Sequence, residues 1–219
     1  MNSIIIADLG TGNLRSVLNA MNQVARDDQV SISSDPESIV NADYLVLPGQ
    51  GAIGTWINQL NENKSLKDAV LSRLKTGPVL GICLGLQALC SHSEENGGVN
   101  GFGVIPSKVK KFAHNISKEM GDAVSNKLKV PHMGWNQVAQ TESHPLWQGI
   151  PNNERFYFVH SYYVESGEDS RECGRCEYGI PFTAASTEKN WFATQFHPEK
   201  SHRAGLQLLK NFVNWNGSN

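Results

Sequence analysis

Apolar residues gather in short unbroken runs through the first half of the chain. Ile4-Ile5-Ile6-Ala7, Tyr44-Leu45-Val46-Leu47 and Pro78-Val79-Leu80 show no alternation with polar residues. Such runs predict strands buried on both faces, as in a parallel sheet. Val30-Ser31-Ile32 predicts one more strand. Between the runs the period becomes helical. Leu14, Val17, Leu18 and Met21 share one helical face, and Leu66 to Leu74 repeats the spacing. Asp35-Pro36-Glu37 reads as a helix start with proline in first position. Leu86-Gln87-Ala88-Leu89-Cys90 reads as another helix. Alternating strands and helices predict an α/β fold, a mostly parallel sheet with helices on both faces.

The second half changes texture. Val104 to Phe112 and Val138-Ala139 predict antiparallel strand pieces, and His114 to Lys127 reads as a polar loop. Phe156 to Val159, Tyr162 to Val164 and Trp191 to Phe196 predict strands, and Ala204 to Trp215 the last helix. No repeat or low-complexity segment interrupts the pattern, so a single domain over 1–219 is expected.

The net charge of −2 over 219 residues leaves no electrostatic footprint for nucleic acid. No apolar run approaches the roughly 18 residues of a membrane span. The start lacks the basic segment of a signal peptide. A soluble, cytoplasmic protein is expected. Four cysteines do not make a disulfide scaffold at this length, and a reducing compartment suits a free reactive thiol.

Gly81-Ile82-Cys83-Leu84-Gly85 lies where a strand turns sharply into a helix. A nucleophile on such a turn needs small residues two before and two after it, because the backbone is crowded there. Gly81 and Gly85 meet that need around Cys83. The Leu84 backbone N–H can point at a developing oxyanion, and the helix start would lower a thiol pKa from its usual ~8.5. The alternative is a buried strand and core helix with Cys83 as a small hydrophobe. Pro48-Gly49-Gln50-Gly51-Ala52 is a second turn at the same predicted sheet edge, with glycines that free backbone N–H groups for a ligand. Gly10-Thr11-Gly12 lacks the third glycine of a dinucleotide loop.

His197-Pro198-Glu199 follows the last strand. An imidazole two residues before a carboxylate, in extended chain, suits a base and its orienter for Cys83. The alternative is a surface histidine beside a solvated glutamate. Gln87 falls one helical turn after Cys83, where its amide can bind the α-amino and carboxylate end of a small amino acid; the alternative is a buried amide that satisfies a loop. Cys173-Gly174-Arg175-Cys176 lacks further zinc ligands and reads as a loop or hairpin with two incidental thiols. His92, His114, His144 and His202 have no partner pattern, and His160 reads as packing at a strand end. Met133 and Trp135 read either as core or as a partner-facing patch. No metal or cofactor is expected.

The Gly81 to Gln87 stretch together with Gln195-Phe196-His197-Pro198-Glu199 resembles the class I (triad) glutamine amidotransferases. Asp8 to Val17, Pro131-His132-Met133-Gly134-Trp135-Asn136 and Phe156 to Tyr163 resemble the glutaminase subunits of imidazole glycerol phosphate synthase within that family. Other triad glutaminases, of pyridoxal or GMP synthases, would share the triad without the His-Met-Gly-Trp-Asn block. The resemblance implies a flavodoxin-like amidotransferase sandwich, with a smaller antiparallel sheet beside the central one. It implies that Cys83 is the nucleophile, His197 the base and Glu199 the orienter. Gly49, Gln50 and Gly51 would form the oxyanion strand with Leu84. Gln87, Ser161 and Tyr162 would hold glutamine. Asn13 and His132, Met133, Gly134, Trp135 and Asn136 would face a (β/α)₈ cyclase subunit in a heterodimer, into which ammonia passes. One oxyanion donor is worth about 10²–10³ in rate, so turning the Gln50 N–H away until the cyclase is loaded would switch the enzyme. The same glutaminase serving another acceptor, such as a sugar amidotransferase, and a non-catalytic module of this fold remain the other readings. A cysteine peptidase fits the Gln87 position and the glycine turn less well.

Overall fold

The computed structural model describes residues 1–121 and 128–218. Its first half alternates strand and helix: β1 (Ser3–Ala7), α1 (Leu14–Val24), β2 (Gln29–Ser33), α2 (Pro36–Val40), β3 (Tyr44–Gly49), α3 (Ile53–Glu62), α4 (Lys64–Thr76), β4 (Val79–Cys83) and α5 (Leu84–Leu89). The second half is richer in strands: β5 (Cys90–Ser93), β6 (Val99–Asn100), β7 (Ile105–Lys111), α6 (Phe112–Met120), β8 (His132–Gln140), β9 (Glu154–His160), β10 (Tyr162–Glu165), β11 (Glu172–Tyr178), β12 (Ile180–Glu188), β13 (Trp191–Thr194) and α7 (His202–Val213).

The main sheet runs β2-β1-β3-β4-β13-β12-β10-β7-β5-β6. Its first five strands are parallel, and antiparallel pairing begins where β12 meets β13. A smaller antiparallel group, β9-β8-β11, branches from β12. This is the expected α/β architecture, with the five parallel strands at one end of the sheet and a mostly antiparallel extension at the other.

Unbroken apolar runs are needed because both faces of the parallel strands are covered. Ile4, Ile6, Val46, Leu80 and Ile82 face one half of the core, where Met21 of α1 and Leu208 and Phe212 of α7 pack. Ile5, Ala7, Leu45, Leu47 and Val79 face the other half, with Trp56 and Leu60 of α3 and Leu66 and Val70 of α4. Fully burying each such side chain contributes about 1.5–3 kcal/mol, whereas helices of this length are marginal alone. Docking on the sheet therefore fixes these helices more than propensity does.

Several expectations shift. α3 has no counterpart in the sequence reading, although Ile53, Trp56, Ile57 and Leu60 carry helical spacing and are buried. The predicted loop from His114 onward is helical to Met120, because Phe112 and Ile116 give α6 a narrow buried stripe; residues 122–127 lie outside the described residues. Cys90 begins β5 and does not end α5. The strand pieces around Val138 belong to the longer β8. Among the described residues, no helix is long and apolar enough to cross a membrane.

Candidate active site

β3 and β4 pair in parallel so that Leu47 lies beside Gly81 and Gly49 beside Cys83. The two turns expected at one sheet edge are thus direct neighbours. Pro48 and Gly49 still belong to β3, so the turn proper begins at Gln50, a correction to the reading of Pro48 to Ala52 as one turn. Cys83 sits at φ +56°, a backbone that costs an L residue about 1–3 kcal/mol and that surrounding structure must hold. The glycine spacing has a steric cause. A Cβ on Gly85 would lie 2.2 Å from the Leu47 carbonyl oxygen, and one on Gly81 would lie 3.0 Å from Ala193 Cβ and 3.1 Å from the Gly85 carbonyl carbon.

His197 arrives just past β13. Its N–H donates to the Tyr157 carbonyl at 2.9 Å, and the Ser201 hydroxyl donates to its carbonyl at 2.6 Å. Glu199 lies on a 3₁₀ turn over Pro198–Lys200, not in the extended chain the spacing argument assumed, and the turn folds its carboxylate back under the imidazole. The His197 Nδ1 to Glu199 Oε1 distance is 2.8 Å, with both side chains 1 % exposed. This excludes the reading of a solvated surface pair. The opposite ring nitrogen, Nε2, is buried and has no hydrogen bond among the described residues. Burial alone would push His197 down, but the neighbouring Cys83 thiol and the Glu199 carboxylate outweigh it and raise its pKa to about 9.

A cavity of about 430 Å³ opens over this edge. Gln50, Gly51, Cys83, Leu84, Gln87, Ser161 and Tyr162 line it, together with Glu95, Tyr157 and Lys200. Gly51 has φ +94° with open space around it. Gly49 does not line the cavity. A Cβ there would lie 2.7 Å from Leu84 Cβ, and Trp56 Nε1 donates to the preceding Pro48 carbonyl at 3.4 Å. Gly49 thus provides close packing behind the turn and is not part of the cavity face.

Gln87 is buried beside Cys83, but its amide nitrogen is already occupied. Nε2 donates at 3.0 Å to the Tyr162 carbonyl and at 3.0 Å to Gln195 Oε1. Only its oxygen is left for a ligand, so any hold on the amino-acid end comes from that acceptor alone. Gln195 in turn donates from Nε2 to Cys83 Sγ at 3.6 Å. The sequence expectations give Gln195 no role, although an amide inside the largely apolar run Trp191 to Phe196, two residues before His197, is a usable signal.

The Pro131 to Asn136 block divides by strand alternation. Met133 and Trp135 point outward, 62 % and 42 % exposed, which excludes a core role. Trp135 stacks on His202, with ring centroids 5.0 Å apart. Gly134 between them has φ +127°. His132 is buried, so it presents no side chain to a partner as expected, and half-buried Asn136 donates to the Glu177 carbonyl at 2.8 Å. Exposed Asn13 caps α1, its Oδ1 accepting from the Ser16 N–H at 3.2 Å. His160 is buried at the end of β9, as expected. Cys173 and Cys176 are buried on β11, one strand of a hairpin with β12. Burial pushes both thiols up, Cys176 to about 12.

A family model described as glutamine amidotransferase class-I matches residues 5–215. The chain is 50% identical over 215 residues to "Imidazole glycerol phosphate synthase subunit HisH" of Nitrosomonas europaea, covering 98% of this chain and 99% of that protein. It is 49% identical over 217 residues to the protein of the same name in Nitrosococcus oceani, covering 99% of each. A solved glutamine amidotransferase superposes with a TM-score of 0.67 at 16% identity, covering 96% of this chain and 97% of that one.

Proposed function

The chain belongs to the class-I glutamine amidotransferase family, within the group of imidazole glycerol phosphate synthase subunits HisH, and on that premise we propose how its residues divide the work. The protein hydrolyses L-glutamine to glutamate and ammonia. Ammonia passes to a (β/α)₈ cyclase subunit that makes imidazole glycerol phosphate and an aminoimidazole carboxamide ribotide in histidine biosynthesis. The two chains form a heterodimer, and this one acts as a single cytoplasmic amidotransferase domain without a cofactor.

Cys83 Sγ attacks the side-chain amide carbon of glutamine. Nε2 of His197 holds the thiol proton, while Glu199 keeps Nδ1 occupied and stabilises the imidazolium. The tetrahedral oxyanion lies against the backbone N–H groups of Leu84 and Gln50. Collapse of the intermediate expels ammonia, which takes the proton from Nε2 and leaves a thioester. Water then attacks the thioester carbon, giving up a proton to His197, and glutamate leaves as the sulfur regains its proton. Ser161 and Tyr162, with the Gln87 oxygen, hold the amino-acid end. Trp56 pins the Pro48 carbonyl, so the movable peptide is the next one, between Gly49 and Gln50. Its N–H is turned away until the cyclase is loaded.

The observation that supports this most is the buried imidazole itself: Nδ1 committed to a buried carboxylate and Nε2 left without a protein hydrogen bond, with the nearby Cys83 and Glu199 raising its pKa. The test is to purify the chain with its cyclase and assay glutamine hydrolysis with and without the cyclase ligand. Cys83→Ala is expected to abolish glutamine-dependent turnover and spare the reaction with free ammonia. Loss of both sinks the division of labour, and equal hydrolysis by the isolated chain and the loaded complex sinks the Gln50 switch.

A further inference from the structure

The reaction above uses His197 and leaves another buried histidine pair without a role. His132 and His160 oppose each other across the β8–β9 ladder, His132 Nδ1 lying 3.0 Å from His160 Nε2. His160 Nδ1 lies 2.8 Å from the Tyr162 carbonyl. A carbonyl only accepts, so Nδ1 of His160 carries its proton. A neutral imidazole has one N–H, so Nε2 of His160 accepts and Nδ1 of His132 donates. Nε2 of His132 is then an acceptor, and the Asn136 amide nitrogen stands 3.3 Å from it. One carbonyl fixes the polarity of the whole series. Burial pushes both rings down, His132 to about 4 and His160 to about 3, which keeps them neutral.

The series continues beyond Tyr162. The same carbonyl accepts from Gln87, Gln87 donates to Gln195, and Gln195 donates to Cys83 Sγ. Its other end lies on β8, the strand whose outer face carries Met133 and Trp135. Packing alone does not call for histidines here. His132 stacks on Phe158 and Tyr178, and His160 lies against Phe112 and Phe182, a setting where two further apolar rings would avoid the desolvation of polar nitrogens.

We propose that His132 and His160 are positioning residues that connect the outer face of β8 to the Tyr162 carbonyl and, through Gln87 and Gln195, to the Cys83 sulfur, so that docking of the cyclase on Met133 and Trp135 sets the placing of thiol and cavity wall. This rests on the reading that the outer face of β8 receives the cyclase.

The first test follows the wild-type chain by ¹⁵N-histidine NMR while the cyclase is added. Both rings should be Nδ1–H tautomers, and the Trp135 indole and the ring nitrogens of His132 and His160 should shift in one titration. A Trp135 that shifts while His160 does not overturns the relay alone. A Trp135 that does not shift overturns the docking reading, and the relay with it. The second test is His132→Phe, which keeps an aromatic ring against Phe158 and Tyr178 but removes both hydrogen bonds. In the complex it should cut the ratio of ligand-stimulated to unstimulated hydrolysis by about tenfold, within the range of a coupling between sites, with cyclase affinity unchanged. His132→Asn, whose amide can replace the Nδ1 donor, should recover most of that ratio. Equal ratios in wild type and His132→Phe overturn the proposal. If His132→Phe does not fold, the wild-type titration decides.

Discussion

His197 and His160 are both buried histidines at strand ends, yet the first is pushed up to about 9 and the second down to about 3. Burial favours the neutral ring in both places. At His197 a thiol and a carboxylate overcome it; at His160 the neighbours are another imidazole and a carbonyl, and His132 and His197 add repulsion against a proton. The difference teaches that depth alone does not assign a role. The ring given a carboxylate suits moving protons, and the ring given a carbonyl suits holding a fixed direction.

The most damaging way to break the contrast is Glu199→Gln, which turns the environment of His197 toward that of His160. Glutamine turnover should fall by about 10³–10⁴-fold, the scale for losing an orienting carboxylate, and the His197 pKa, read by NMR, should fall with it. Retained turnover would remove Glu199 from the mechanism.

The next effect is on stability in acid. The folded pKa values of His132 and His160 lie below 6.5, so their contribution is present above about pH 6.5 and is lost as pH falls toward about 4 and 3. Replacing His132 with Phe should flatten denaturant-derived stability between pH 6.5 and 4 by a few kcal/mol, because each tenfold loss of proton affinity on folding is worth about 1.4 kcal/mol. An unchanged acid branch would mean that the pair is not neutral and buried.

The mirror effect at His197 runs the other way and is of similar size, since its pKa is displaced from 6.5 about as far as that of His132. Its folded pKa is raised, so its contribution is complete below pH 6.5 and is lost as pH rises through about 9. Cys83→Ala removes the strongest raising partner, and its stability should decline less than that of wild type between pH 7 and 10. Parallel curves would uncouple the thiol from the imidazole.

The smallest expected effect is Trp135→Ala in the isolated chain. Removing this half-exposed ring, which stacks on His202, should cost about 1 kcal/mol of stability, yet weaken cyclase binding by about tenfold or more, as for an exposed aromatic anchor. Unchanged binding by calorimetry would take the docking face away from β8.

Much of one histidine site was legible in the sequence and almost none of the other. Cys83 announces itself through glycines whose neighbours leave no room for a Cβ, and His197 through a carboxylate two residues on. Both are local signals. His132 and His160 are 28 positions apart and meet only because β8 and β9 pair in one register. The Gln87 and Gln195 contact spans 108 positions and closes only when β4 and β13 align. Local spacing also overreached. It took Pro48 and Gly49 for turn residues because proline and glycine punctuate turns, whereas pairing with Ile82 and Cys83 keeps them in β3. It passed over α6, whose buried face is little more than Phe112 and Ile116.

The division of the core into two halves has a consequence for redesign. Cys83 packs with the α1 and α7 side, and Leu84, the next residue, packs with the α3 and α4 side. The proposed nucleophile and the proposed first oxyanion donor are therefore mounted on different packing compartments, with the sheet as a partition between them. Thermostabilising changes can be accumulated on the outer helices of one compartment while the other serves as an unaltered reference for the position of the site. A library confined to α4 leaves the thiol's own packing untouched, and one confined to α7 does the same for Leu84.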